Sequence, residues 1–397
     1  MEFGAGLRDQ FLLDRDLVFL NHGSFGACPV PVLAAQQVWR DRFEASPIEF
    51  VLGELWGLLR ETAIRLGDSV GARGEDLVFV ENATTGVNTA LRAADLEPGD
   101  EVVLLDHAYP AVKNAAAHLC EEIGARLVVA TLPLPCQPDS VLEALDGALS
   151  ERTRLVVLDH ITSASGLVLP LESLVARCRD LEIPVCVDGA HAPGMLPLDL
   201  TSLGVDWYTG NCHKWMWAPK GCAFLWTHPK RQAQTRPLVI SLGYGQGYTA
   251  EFDWVGTRDV SAWLSLSAAL DFMESLGPAA VRSHNHDLVL WGAQHLANLW
   301  GVELPVPASM IGSLVTLPLP DAWQVEPTVE AGLALRGRLY KDRRIEVPIH
   351  PIGARMWVRI SAQVYNTRED YEALGEALGS GPNSMAPPGP HDSLLGV

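Results

Sequence analysis

Two short stretches bring an acid, an amine and two imidazoles together: Val185-Cys-Val-Asp188-Gly-Ala-His191 and Tyr208-Thr-Gly-Asn-Cys-His213-Lys214-Trp215. The amine is notable because the chain has only five lysines, at 113, 214, 220, 230 and 341, against 24 arginines. An apolar run ending in a carboxylate reads as a strand that delivers Asp188 to the ligand edge of a sheet. One further strand, 26 residues on, delivers Lys214 to the same edge. Catalysis with pyridoxal 5'-phosphate needs both groups. The lysine forms the internal Schiff base, and the acid keeps the pyridine nitrogen protonated so that the ring can accept electrons. Either residue alone reads as a strand-end acid or a surface amine; together, with His191 and His213, they point to this chemistry.

Glu81-Asn-Ala83-Thr84-Thr85-Gly86 opens a helix after another strand. Its N–H groups and hydroxyls suit an anion such as the cofactor phosphate, and would equally cap a helix that binds nothing. Asp106-His-Ala-Tyr109 follows the next strand. Tyr109 offers a ring to stack on the pyridine, or is simply a half-buried strand-end tyrosine.

Seven β-rich runs must position these groups: Asp76–Val80, Glu101–Leu105, Arg126–Thr131, Arg154–Asp159, Ile183–Asp188, Val205–Thr209 and Gly221–Trp226. Amphipathic stretches separate them, so the spacing predicts an α/β fold. A mainly parallel seven-stranded sheet forms a large domain, with sites beyond the carboxyl ends of its strands. After a helix at Ala262–Leu276, Gly277-Pro278 opens a smaller α+β C-terminal domain. The expected divisions are 1–30 as a segment packing near the site, 31–276 as the large domain, 277–379 as the small domain and 380–397 as a flexible tail.

The 397 residues carry a net charge of −19, which argues against nucleic acid and anionic membranes as partners. No apolar run approaches a membrane span, and no secretory signal is visible. Seven cysteines form no CxxC pair, which excludes a disulfide framework and a zinc site, leaves no metal expected, and makes a cytoplasmic location the default.

The sequence resembles class V members of the fold type I pyridoxal phosphate enzymes, from about residue 16 to 378. The resemblance rests on Asn82-Ala-Thr-Thr-Gly, Asp188-Gly-Ala-His, His213-Lys214, Gly256-Thr257 and Arg359-Ile-Ser-Ala-Gln-Val-Tyr-Asn-Thr. It implies Lys214 as the Schiff-base lysine, Asp188 as the pyridine partner, His191 beside the ring and Tyr109 stacked on it. Ala83, Thr84 and His213 would hold the phosphate, and Thr162 and Ser163 the phenolic oxygen. Thr257 would reach the phosphate of a partner subunit, implying a homodimer with shared sites. Arg359 would hold the α-carboxylate of a small amino-acid substrate, a task its planar fork of N–H groups suits. Arg258 and Arg355 could assist, or be surface residues.

Within the family, the motifs resemble the isopenicillin N epimerase-like group: Phe19-Leu-Asn21-His22-Gly-Ser-Phe-Gly, Thr209-Gly-Asn-Cys-His-Lys-Trp and Trp254-Val-Gly-Thr-Arg-Asp. Asn21 and His22 thereby join the substrate-binding candidates. The expected reaction is epimerisation at the α-carbon, with Lys214 serving one ring face and His22 or Tyr244 the other. His22 could instead anchor its own loop. A C–S lyase acting on cysteine conjugates and an aminotransferase are the alternatives. A cysteine desulfurase is disfavoured, because no cysteine lies beyond residue 222 and that reaction needs one in the 345–355 loop.

Overall fold

The computed structural model describes residues 2–379, so the tail expected at 380–397 lies outside them. The chain divides into two compact units. The larger comprises Phe25–Ser163 and Val168–Pro278, and the smaller 2–24, Ala164–Leu167 and 279–379. The sequence suggests boundaries at 30/31 and 276/277, whereas the chain changes units at 24/25 and 278/279. Ala164–Leu167 belongs to the small unit because the Ala164 carbonyl accepts from Thr316 Oγ1 (2.9 Å) and lies 2.7 Å from His350 Nε2.

In the large unit, strands β1 (Leu77–Val80), β2 (Glu101–Leu105), β3 (Arg126–Ala130), β4 (Thr153–Asp159), β5 (Val185–Asp188), β6 (Trp207–Asn211) and β7 (Ala223–Thr227) form one sheet. Their order is β1-β7-β6-β5-β4-β2-β3, and only β7 runs antiparallel to its neighbours. This is the mainly parallel seven-stranded sheet that the alternation implies. Leu155 and Val157 point to one face of β4, Val156 and Leu158 to the other, and all four are buried. A sheet covered on both sides has no reason to alternate apolar with polar residues. Each such side chain contributes about 1.5–3 kcal/mol by leaving water.

Four strands begin later than the sequence suggests, β1 by one residue and β5, β6 and β7 by two each. Pro184 has no N–H to give the ladder, so β5 starts at Val185 rather than Ile183. The Val185 N–H goes to the Asp206 carboxylate rather than to a backbone carbonyl of β6, so the pairing of β5 with β6 begins at Cys186 and Trp207.

The Ala83–Ala93 helix packs Val87, Ala90 and Leu91 onto the sheet. Gly86 makes this approach possible, since a Cβ there would stand 2.1 Å from Thr209 Oγ1 on β6. The helix start is thereby fixed beside the end of the strand that leads to Lys214.

The small unit holds an antiparallel sheet of Leu314–Pro318, Arg355–Ser361 and Ile349–Ile352, with Arg355–Ser361 central. Helices Pro278–Trp300, Val329–Arg343 and Arg368–Gly379 accompany it. The last begins where Asp370 accepts from the Thr367 N–H and from Asn366 Nδ2. From the N-terminal segment, Val18–Phe19 pairs in parallel with Ile345–Glu346. No helix among the described residues is long and apolar enough to cross a membrane.

Candidate active site

In the large unit, the residues that follow the parallel strands gather the chemistry. Lys214 Nζ lies 3.1 Å from His191 Nε2. The other ring nitrogen of His191 accepts from the Trp215 indole N–H at 3.3 Å. An indole can only donate, so Nδ1 is the unprotonated nitrogen and the ring proton sits on Nε2, facing the amine. Gly26 (φ +68°) passes close to this segment, and a Cβ there would meet the His213 carbonyl at 2.6 Å.

Asp188 ends β5, is 4% exposed, and accepts the Ala190 N–H at 3.0 Å. Burial pushes its carboxyl up, while that N–H and the Lys214 charge pull it back. His213 places its backbone N–H and Nδ1 at 3.0 and 2.8 Å from the Cys222 carbonyl. Burial, helped by the Lys214 charge, lowers its pKa to about 4, so the imidazole is neutral.

The phosphate candidates lie at the start of the Ala83–Ala93 helix. The Asn82 side chain caps it by accepting from the Thr85 N–H (2.9 Å), and Asn211 Oδ1 takes the Ala83 N–H (2.8 Å). Asn211 draws no attention in the sequence by itself, although the Thr209-Gly-Asn motif carries it at the end of β6. Tyr109 is 44% exposed at the N-cap of Pro110–Ile123. Thr162 is fully buried and Ser163 half-buried, just past β4.

Two candidates of this unit stand elsewhere. Tyr244 is 61% exposed, with the Arg236 guanidinium 5.0 Å from its ring centroid. Thr257 lines a cleft of about 380 Å³ with Glu81, Lys220, Arg258 and Trp263. Arg258 is held there by Glu81 and lies over the Trp263 ring, while Arg355 pairs with Asp321 in the small unit.

The small unit has its own polar cluster. Arg359 is buried on the central strand and donates to Ser24 Oγ (3.1 Å) and Asn21 Oδ1 (3.4 Å). Burial lowers its pKa to about 10, which leaves it charged at neutral pH. Ser24 also donates to Asn21 Oδ1, and Asn21 Nδ2 reaches Glu346, whose carboxylate is already paired with Arg336. His22 is fully buried. Its N–H donates to Ser361 Oγ and its Nδ1 lies 2.8 Å from the Tyr365 hydroxyl. The sequence alone does not point to Ser24 and Tyr365, because only the fold brings them to their partners.

This donor set fits pyridoxal phosphate. One amine lies beside an imidazole, a buried carboxyl feels that amine's charge, and a capped helix start carries the hydroxyls of Thr84 and Thr85.

Comparison with known proteins identifies the family. The model for Aminotransferase class-V matches residues 58–374. An isopenicillin N epimerase of Amycolatopsis lactamdurans is 35% identical, over 94% of this chain and 97% of the relative. An L-cysteine desulfhydrase of Arabidopsis thaliana is 32% identical, over 90% of this chain and 86% of the relative. Among solved structures, a cystine C–S lyase in complex with cysteine persulfide is similar in fold, with a TM-score of 0.80 at 22% identity, covering 92% of this chain and 98% of that one.

Proposed function

The chain belongs to the class V aminotransferase family of pyridoxal phosphate enzymes, and from that premise we propose that it is a C–S lyase acting on a cysteine-type amino acid through one base, Lys214. The observation that carries this reading is the engagement of both candidates for a second base. His22 is fully buried with Nδ1 against the Tyr365 hydroxyl, and Tyr244 is exposed beneath Arg236. Epimerisation asks for an acid–base group on each face of the α-carbon, whereas elimination is served by one.

Pyridoxal phosphate supplies the carbonyl that captures the amino group and the electron sink that makes the α-proton acidic. With it bound, Asp188 would serve the ring nitrogen, Tyr109 would stack on the ring with His191 beside it, and Thr162 and Ser163 would serve the phenolic oxygen. Ala83, Thr84 and His213, with Thr257 of the partner subunit, would hold the phosphate. Arg359, with Asn21 beside it, binds the α-carboxylate as a charge-assisted pair. Lys214 then takes the α-proton. The electron pair left on Cα forms a double bond to Cβ as the Cβ–S bond breaks, and sulfur departs as a thiolate that is protonated. For L-cysteine the balance is cysteine plus water giving pyruvate, ammonia and hydrogen sulfide.

The long match to isopenicillin N epimerase favours a second reading, epimerisation at the α-carbon. Proton NMR in deuterium oxide separates the two. Sulfide and pyruvate in equal amounts from L-cysteine, with no inversion of isopenicillin N, is the expected result. Deuterium exchange with inversion of isopenicillin N and no C–S cleavage would replace the lyase by the epimerase. Production of a 2-oxo acid that keeps its sulfur would indicate an aminotransferase.

A homodimer is part of the proposal, supported by exposed apolar side chains at Phe25, Leu238, Val239, Ile240 and Leu242. Seven buried free thiols suit a cytoplasmic setting.

A further inference from the structure

A second acid stands beside Asp188. Arg154-Leu-Val-Val-Leu-Asp159 is, like Val185-Cys-Val-Asp188, an apolar strand that ends in a carboxylate. β4 and β5 are parallel neighbours, and their register pairs Asp159 with Asp188 at the last rung. Register partners on adjacent strands point to the same face about 5 Å apart, so the two carboxyls share one side of the sheet. Each residue is 4% exposed. Two buried carboxyls on one face of adjacent strands disfavour each other's ionisation.

We propose that Asp159 and Asp188 form a carboxyl pair that shares one proton, and that Asp159 keeps it so that Asp188 carries the negative charge. Asp159 is then a positioning residue: it acts on the cofactor ring only through the charge state of Asp188. The role of that charge rests on the reading of Asp188 given above, while the location of the proton does not.

The groups that face each acid decide which one holds the proton. Asp188 receives the Ala190 N–H and the positive charge of Lys214. Asp159 faces its own N–H, the Tyr109 N–H and the charge of Lys113 on the Pro110–Ile123 helix. The Lys113 ammonium is already donating to the Asp106 carbonyl at 2.9 Å. Burial and the Asp188 charge prevail over these, and hold the Asp159 carboxyl well above the usual carboxylate range. The opposite assignment would put a neutral acid beside Lys214 and a charge one strand further away.

Infrared difference spectroscopy of the holoenzyme reads the proton directly. At about pH 8, Asp253, which burial pushes up to about 6, has ionised and drops out of the protonated-carboxyl region. The wild type should show a protonated-carboxyl stretch that shifts in deuterium oxide and is lost in Asp159→Asn. In Asp188→Asn the neighbouring charge is gone, so the same band should titrate away at a pH lower by about one unit or more. If Asp159→Asn does not fold, the Asp188→Asn titration alone decides. A wild type with no such band, a band that survives Asp159→Asn, or a midpoint unmoved in Asp188→Asn would overturn the pair. Loss of the lysine assignment would appear separately, as cofactor absorbance unchanged by Lys214→Ala, and would leave the band intact.

Discussion

The lysine cluster of the large unit and the arginine cluster of the small unit are built on opposite plans. Asp188, His191, His213 and Lys214 come from two adjacent strand ends, so one stretch of sheet presents acid, imidazole and amine together. The arginine cluster joins distant segments: Arg359 lies 338 positions from Asn21, and His22 lies 343 from Tyr365. Protonation is also handled differently. The large unit sets an acid and an amine to influence one another, whereas Arg359 keeps its charge against burial and meets neutral oxygens of Asn21 and Ser24. The first arrangement suits moving protons and the second suits holding an anion.

That division of labour predicts separable losses. Lys214→Ala should lower turnover by about 10³-fold or more while the protein still binds an amino acid's carboxylate. Stopped-flow absorbance of the cofactor, alongside product assays, would check it; turnover within about tenfold of wild type would erase the distinction between the clusters. Arg359→Met should act the other way. Removal of a charge-assisted pair of about 1.5–3 kcal/mol should raise KM about 10- to 100-fold, with kcat changed less. Steady-state kinetics would show it, and a fall confined to kcat would contradict a binding role.

Smaller effects probe how the lysine is aimed. Trp215→Phe removes the indole N–H that fixes the His191 tautomer but keeps an aromatic ring in a buried position. A lost hydrogen bond of about 1 kcal/mol corresponds to a roughly fivefold drop in kcat. The pH–rate profile should shift with it, because His191 is then released to carry its proton on either nitrogen. An unchanged profile would mean that the indole serves packing alone.

The same contrast explains what is legible in the sequence. Strand–helix alternation and strand-end polar residues are local patterns, so the sheet, Asp188 and Lys214 can be read from the amino acids alone. Asp159 carries the same signal as Asp188 but does not stand out, since no lysine follows it at a telling distance. The starts of the strands at Val185 and Trp207 escape a hydropathy reading, because Pro184 and Asp206 act through individual hydrogen bonds that hydropathy does not register. Ser24 and Tyr365 are beyond reach for another reason: their partners lie more than 330 positions away. The change of units at 24/25 is likewise set by the Val18–Phe19 pairing with Ile345–Glu346, a tertiary event.

The smallest effect is a titration that compares one histidine from each unit. His160 and His350 both have pKa values lowered to about 4. For His160 the cause is burial, with Nδ1 against the Tyr208 hydroxyl; for His350 it is burial first and then the Arg359 charge. Between pH about 6.5 and 4 the unfolded chain binds protons at both sites that the native protein refuses, so stability falls as pH drops through that window. In Arg359→Met the His350 pKa should rise while that of His160 stays put. The His350 share of the acid loss should therefore shrink, by less than about 1.4 kcal/mol if the rise is under about one unit. Imidazole NMR titration would resolve the two residues, and thermal unfolding between about pH 7 and 4 would register the stability change. Equal movement of both histidines would mean that the substitution acts generally rather than through the Arg359 charge at His350.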